Sequence, residues 1–114
     1  MQSGDFPFLI DAHSHINFSA YRDDASEVIA RAEGEGIWML AVGSQIDTSR
    51  RAVEYASTYE HIWAVVGLHP IHLVGTHVDL AEVGEEGKEG IAFRTRAETF
   101  DTVAYRALAE HPKT

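Results

Sequence analysis

No cysteine occurs in this chain of 114 residues, so neither a disulfide framework nor a thiolate zinc site is available. Any bound metal must be held by nitrogen and oxygen donors, from histidine, aspartate or glutamate. Positive charge is scarce as well. Nine Lys and Arg stand against 18 Asp and Glu, leaving a formal charge of −9. The lysines are Lys88 and Lys113 alone. This balance disfavours a binder that coats nucleic acid through a basic face. It leaves room for a metal enzyme, whose ion supplies local positive charge. No apolar run approaches the roughly 18 residues of a membrane span. The start, Met1-Gln2-Ser3-Gly4-Asp5, lacks the basic region and long apolar stretch of a secretory leader. These absences predict a cytoplasmic protein with no membrane partner. A phosphate-binding Gly-x-x-x-x-Gly-Lys-Ser/Thr loop, a Gly-x-Gly-x-x-Gly turn and a Gly-x-Ser-x-Gly elbow are also missing.

What is present is a rhythm. Hydrophobic residues make up 45% of the chain, enough for a packed core. Phe6-Pro7-Phe8-Leu9-Ile10 reads as a first strand, buried on both faces because it is almost wholly apolar. Asp23 or Asp24 caps a helix to about Glu33, with Val28, Ile29 and Ala32 on one side; Gly34 and Gly36 end it. Ile37-Trp38-Met39-Leu40-Ala41-Val42 is a second strand, closed by Gly43-Ser44. Asp47, Thr48 or Ser49 caps the next helix, which carries Ala52, Val53 and Ala56. Ile62-Trp63-Ala64-Val65-Val66 is the third strand, ending in Gly67-Leu68-His69-Pro70. The order β-α-β-α-β with short links predicts an α/β fold with a parallel sheet and right-handed crossovers. The segment 73–99 breaks the rhythm with four glycines and an excess of acid. It reads as a solvated excursion, or as a loop that contacts substrate. Asp101 or Thr99 then caps a last helix with Val103, Ala104, Leu108 and Ala109, closed by Pro112.

The chemistry concentrates in Asp11-Ala12-His13-Ser14-His15, directly after the first apolar run. Residues two apart on an extended chain share a face, so His13 and His15 can reach one ion. In a parallel sheet the strand ends that carry them, and the end that carries His69, lie on one edge, where active sites form. Two imidazoles are too few for a catalytic site, which needs three or more protein ligands. Asp11 is a further ligand, or an acceptor that orients one of the rings. His69, held extended by Pro70, either contacts substrate or stabilises a turn. Ser14 faces away from both rings and is discounted as a nucleophile. His72 and His77 are expected to be exposed, His61 to lie far from the site, and His111 to sit in the last turn of the final helix.

The blocks Ile10-Asp11-Ala12-His13-Ser14-His15-Ile16-Asn17, Val42-Gly43 and Val66-Gly67-Leu68-His69-Pro70 resemble the first three βα units of TatD-type metal-dependent hydrolases. The likeness covers about residues 8–72 and resumes at Tyr105-Arg106-Ala107-Leu108-Ala109. It implies a TIM-type (β/α)8 barrel with a divalent metal (Mg, Mn or Zn) at its C-terminal mouth. It also implies hydrolysis of ester bonds, usually DNA phosphodiesters. By the same likeness His13 and His15 are metal ligands and His69 lies near the substrate.

A (β/α)8 barrel needs at least about 200 residues, so the barrel is expected to be incomplete in this chain. Residues 1–114 then form a partial hydrolase domain with an insertion at 73–99. The family's later ligands and its general base fall in the part beyond, and no catalytic residue is assigned here. None of Glu82, Glu85, Glu86 or Glu89 has the context to replace the missing glutamate. Alone, the chain is expected to be weakly active or inactive; a C-terminal complementing chain is a candidate partner beside DNA or another phosphoester. The alternatives are a non-catalytic fragment, a subunit of a split barrel, or a hydrolase of the PHP or amidohydrolase type.

Overall fold

The computed structural model describes residues 6–73, 77–79, 92–94 and 97–114. Two compact units divide the chain: Met1–Gly67 with Asp101–Thr114, and Leu68–Phe100.

The first unit is built on three parallel strands in the order β1-β2-β3. They are β1 (Leu9–Ser14), β2 (Ile37–Val42) and β3 (Ile62–Val65), with α1 (Ala25–Gly34) and α2 (Ile46–Thr58) as the crossovers and α3 (Thr102–Ala109) following. The strand limits of β2 follow from its flanks. Gly36 takes φ +70, a left-handed conformation suited to glycine, and Gly43 closes the apolar run. Alternate side chains then divide between faces. Met39 and Ala41 of β2, with Ile62 and Ala64 of β3, are buried together with Ile29 of α1 and Ala52 and Ala56 of α2. Removing Ile29 and Ile62 from water stabilises the unit by roughly 1.5–3 kcal/mol each. The small alanines allow the helices to lie close to the sheet.

The helix limits are set by caps. Asp24 precedes α1 as expected, although its side chain makes no capping bond. Asp101 caps α3, its Oδ1 accepting from the Ala104 N–H at 3.0 Å. Helix α2 starts earlier than the expected Asp47, Thr48 or Ser49. Gln45 is the N-cap, and Gln45 and Thr48 form a reciprocal capping box. Thr48 Oγ1 accepts from the N–H groups of both Ser44 (2.8 Å) and Gln45 (3.0 Å).

Strand β1 departs from expectation twice. It begins after Pro7, which has no N–H to give a ladder, and runs on through the histidine motif to Ser14. It is also not buried on both faces: Leu9 and Ile10 are each 56% exposed. As an outer strand of the sheet it has, among the described residues, a strand neighbour on one side only, β2. Strand β3 is the other outer strand, and the backbone N–H of Ala64 donates to the Lys113 carbonyl at 2.9 Å. The Lys113 ammonium donates to the carbonyls of Ala56, Tyr59 and Glu60 at 2.7–2.9 Å. It also lies 5.0 Å over the Trp63 ring. Burial draws its pKa below the ordinary lysine value, and the Glu60 carboxylate opposes this. The three carbonyls stand in for the water that burial removes.

His111 lies beyond the end of α3 rather than in its last turn, and its Nδ1 accepts from the Lys113 N–H at 3.1 Å. His61, at the N-terminal end of β3, places its Nδ1 3.0 Å from Glu33 Oε2 and stacks on Trp38 at 4.7 Å.

In the second unit, β4 (His77–Asp79) and β5 (Ala92–Arg94) pair antiparallel, with Val78 opposite Phe93. The segment therefore contains strands where an irregular loop is expected. Glu82, Glu85, Glu86, Glu89 and Lys88 lie outside the described residues. His72 is buried, not exposed: it closes a 3-10 turn, Pro70–His72, and its carbonyl accepts from the Glu98 N–H at 2.7 Å. Among the described residues no helix is long and apolar enough to cross a membrane.

Candidate metal centre

Because β1, β2 and β3 are parallel, their C-terminal ends share one edge of the sheet. His13 and Ser14 stand at that edge on β1 with His15 just beyond it, Val42 on β2 with Gly43 just beyond it, and Gly67 shortly after β3. The sequence makes this edge polar and glycine-rich where the strand interiors are apolar.

His13 and His15 come together there. Their ring centroids are 5.0 Å apart and the rings meet edge to face at 81°. Both side chains are exposed. Between them Ser14 is buried on the other side of the strand, its Oγ donating to Met39 Sδ at 3.7 Å and accepting from the Ile16 N–H at 3.2 Å. That bond turns the chain after the motif and removes Ser14 from the histidine face, as its position in the alternation predicts.

Asp11 does not join the pair as a third donor. The β1–β2 register shifts between Asp11 and Ser14, so simple alternation no longer carries Asp11 to the face of His13 and His15. Its Oδ1 instead accepts from the backbone N–H of His13 at 3.1 Å. This bond holds the backbone of the first histidine rather than its ring.

The second histidine is held through its ring. His15 Nδ1 lies 3.2 Å from the carbonyl oxygen of Val42. A carbonyl only accepts, so Nδ1 carries a proton, and in the neutral form of the ring Nε2 is left with its lone pair. Phe18 packs on the same ring, centroid to centroid 4.2 Å. In its neutral form a ring held this way, beside a second exposed imidazole, suits a borderline divalent cation such as Zn²⁺. The pair fits such an ion as a partial donor set. Among the described residues no group of three or more His, Asp or Glu side chains gathers to hold a metal.

Two residues of this edge make contacts that the sequence does not announce. Asn17 is fully buried, and its Nδ2 donates to the carbonyls of Val42 (3.1 Å) and Thr48 (2.8 Å). Its signal in the sequence is slight: a polar residue two places after His15, with no acid or metal spacing of its own. Ser49, also fully buried, joins the start of α2 to the end of β3. Its Oγ donates to the Gly67 carbonyl at 3.3 Å and accepts from the Gly67 N–H at 3.2 Å. Gly43 is the partner that makes room. A Cβ on Gly43 would lie 2.6 Å from Ser49 Cα and 2.7 Å from Ser49 N.

His69 belongs to the second unit. It is extended (φ −71, ψ 141) and exposed, and its Nδ1 accepts from the Ile71 N–H at 3.1 Å. Here the turn-stabilising role is present. It leaves the ring proton on Nε2, a donor still free of that turn.

With this geometry in hand, the sequence profile of the TatD related DNase family matches residues 10–113. The chain belongs to the TatD-related DNase family. Among its relatives is the uncharacterized metal-dependent hydrolase YabD of Bacillus subtilis (strain 168), 38% identical over 79 residues, covering 68% of this chain and 31% of that protein. The 3'-5' ssDNA/RNA exonuclease TatD of Cronobacter sakazakii is 35% identical over 63 residues, or 54% of this chain and 24% of that one. An uncharacterized metal-dependent hydrolase of Methanocaldococcus jannaschii is 34% identical over 61 residues, with the same coverage. This TatD-family chain thus spans about a quarter to a third of the length of these relatives.

Proposed function

We propose that this chain carries the opening βα units of a TatD-type (β/α)8 barrel and the first two ligands, His13 and His15, of a divalent metal centre that hydrolyses phosphodiester bonds of nucleic acid. The observation that carries the reading is the paired, exposed imidazoles at the C-terminal end of β1, with His15 Nδ1 committed to the Val42 carbonyl. Family membership and relatives described as metal-dependent hydrolases and as an ssDNA/RNA exonuclease support it.

When bound, a divalent ion polarises a phosphoryl oxygen and makes water a better nucleophile at neutral pH. The residues present do the preparatory work. His13 and His15 hold the cation at the edge of the sheet. Val42 orients the His15 ring. His69 offers its Nε2–H to a substrate oxygen while its Nδ1 stays with Ile71. At a net charge of −9, attraction for a polyanion depends on the cation. The remaining ligands and the general base come from outside this chain, from the rest of a longer protein or from a complementing chain. Alone, these residues bind metal weakly and turn over little substrate. The segment 73–99 is an insertion on this plan, supported by its own compact unit and its own β4–β5 pairing.

The test is a titration of the chain with Zn²⁺ and Mn²⁺, followed through the His13 and His15 ring resonances, beside cleavage of a labelled single-stranded DNA. Among the histidine rings, metal-dependent shifts are expected at these two alone, with cleavage rising when the remaining two-thirds of a relative is supplied as a second chain. Rings silent to both metals would overturn the metal reading. Cleavage by this chain alone at the rate of a full-length relative would overturn the division of the site.

A further inference from the structure

The Val42 carbonyl oxygen is engaged twice. It accepts from His15 Nδ1 at 3.2 Å and from Asn17 Nδ2 at 3.1 Å, which uses both lone pairs of a carbonyl. The second Asn17 Nδ2 proton goes to the Thr48 carbonyl at 2.8 Å. Both neighbours of Nδ2 are obligate acceptors, so the orientation of the amide is settled by its partners. The other end of the amide gains nothing: Oδ1 is buried with no hydrogen-bond partner among the described residues. A side chain chosen for packing alone would not leave an oxygen so placed. What the amide achieves is a bridge. It ties the end of β2 to the first turn of α2, where Thr48 is already fixed by the capping box with Gln45. The carbonyl that His15 donates to is thereby held still. His13 has no equivalent: among the described residues its ring makes no hydrogen bond and rests edge-on against His15.

We propose that Asn17 is a positioning residue that sets the tautomer of His15, fixing the Val42 carbonyl so that the ring keeps its proton on Nδ1 and offers Nε2 to a divalent cation. The inference rests on the metal reading only in its last clause, since the tautomer exists without metal. It also ranks the two histidines. His15 is the preoriented ligand and His13 the adaptable one.

The test uses uniformly ¹⁵N-labelled chain at neutral pH and long-range ¹H–¹⁵N correlations of the imidazoles. In the unsubstituted chain, without metal, His15 is expected as the Nδ1–H tautomer. In Asn17→Ala the Nδ1–H population of His15 falls while the His61 signals, at the other end of the sheet, stay in place. Zn²⁺ affinity falls by about 10–100-fold, the usual result of removing the partner that orients a ligand. Asn17→Asp, nearly the same shape but without the donors, is expected to match it. Should either variant fail to fold, the unsubstituted chain still decides. Its Asn17 Nδ2 resonances are expected to shift as Zn²⁺ saturates His15, because the two share one oxygen.

An Nε2–H tautomer in the unsubstituted chain would overturn the proposal, whether or not Zn²⁺ binds. So would an unchanged His15 in a folded Asn17→Ala, or Asn17 resonances indifferent to Zn²⁺ that saturates His15. An Nδ1–H tautomer that depends on Asn17 in a chain that binds no Zn²⁺ would support the positioning role and overturn the metal reading instead.

Discussion

The Ser49 hydroxyl holds both backbone groups of Gly67, accepting from its N–H at 3.2 Å and donating to its carbonyl at 3.3 Å. One buried side chain thus joins the start of α2 to the chain leaving β3. Ser49→Ala removes both bonds while leaving the space nearly unchanged. Unpaired groups of this kind cost about 1–3 kcal/mol, and urea denaturation of the variant should show a loss of that size with an unchanged m-value.

Gly43 is required for the same contact. In Gly43→Ala the new methyl would lie within 2.7 Å of the Ser49 backbone, which cannot rotate aside as a side chain would. The expected loss is about 1–3 kcal/mol, as for overpacking elsewhere. A Cβ there would also meet Ser49 Oγ, so a double-mutant cycle of Gly43→Ala and Ser49→Ala should show a partial rescue, with the backbone clash remaining. A large rescue by Ser49→Ala would show that the hydroxyl alone sets the limit.

Lys113→Met keeps the aliphatic stem and removes the ammonium from the carbonyls of Ala56, Tyr59 and Glu60. A cation near a helix C-terminus contributes typically 0.3–1 kcal/mol, and several direct bonds place the expected loss near the upper end, about 1 kcal/mol. Thermal melting followed by circular dichroism checks this. Lys113→Arg, with a longer planar head, should recover only part of it.

Zn²⁺ should raise the melting temperature of the unsubstituted chain, with stabilisation growing by mass action to about 2.7 kcal/mol at a free concentration one hundred times the dissociation constant. His13→Ala and His15→Ala should each abolish the increment. Excess EDTA should return the unsubstituted chain to its starting point. A rise that survives in both variants would place the cation elsewhere.

Strands β2 and β3 and the helix α1 are legible in the sequence because apolar runs and periodic faces end at glycine or at a capping acid. Strand β1 is less so. Its composition suggests a buried strand, but burial depends on neighbours in space, and among the described residues β1 pairs with β2 alone. The early start of α2 rests on Gln45 acting as a cap, a role in which Asp, Ser and Thr are the commoner choices. Strands β4 and β5 are three residues each, too short for a period to register. At the candidate site, the spacing of His13 and His15 is enough to pair them. Asp11 shows the limit of that reasoning: parity counts only while the register is regular, and here it shifts. Asn17 and Ser49 act through backbone groups distant in sequence, which no spacing rule reaches.

The two tryptophans of the chain, Trp38 and Trp63, have ring centroids 5.3 Å apart. They sit on the early half of β2 and at the start of β3, away from the histidine edge. Tryptophan emission, excited selectively, is therefore an optical gauge of the sheet's far end. Cation loading at His13 and His15 should leave the emission spectrum almost untouched, while loosening of the Lys113 tail should redden it. A single cuvette can thus separate ligand capture from unfolding.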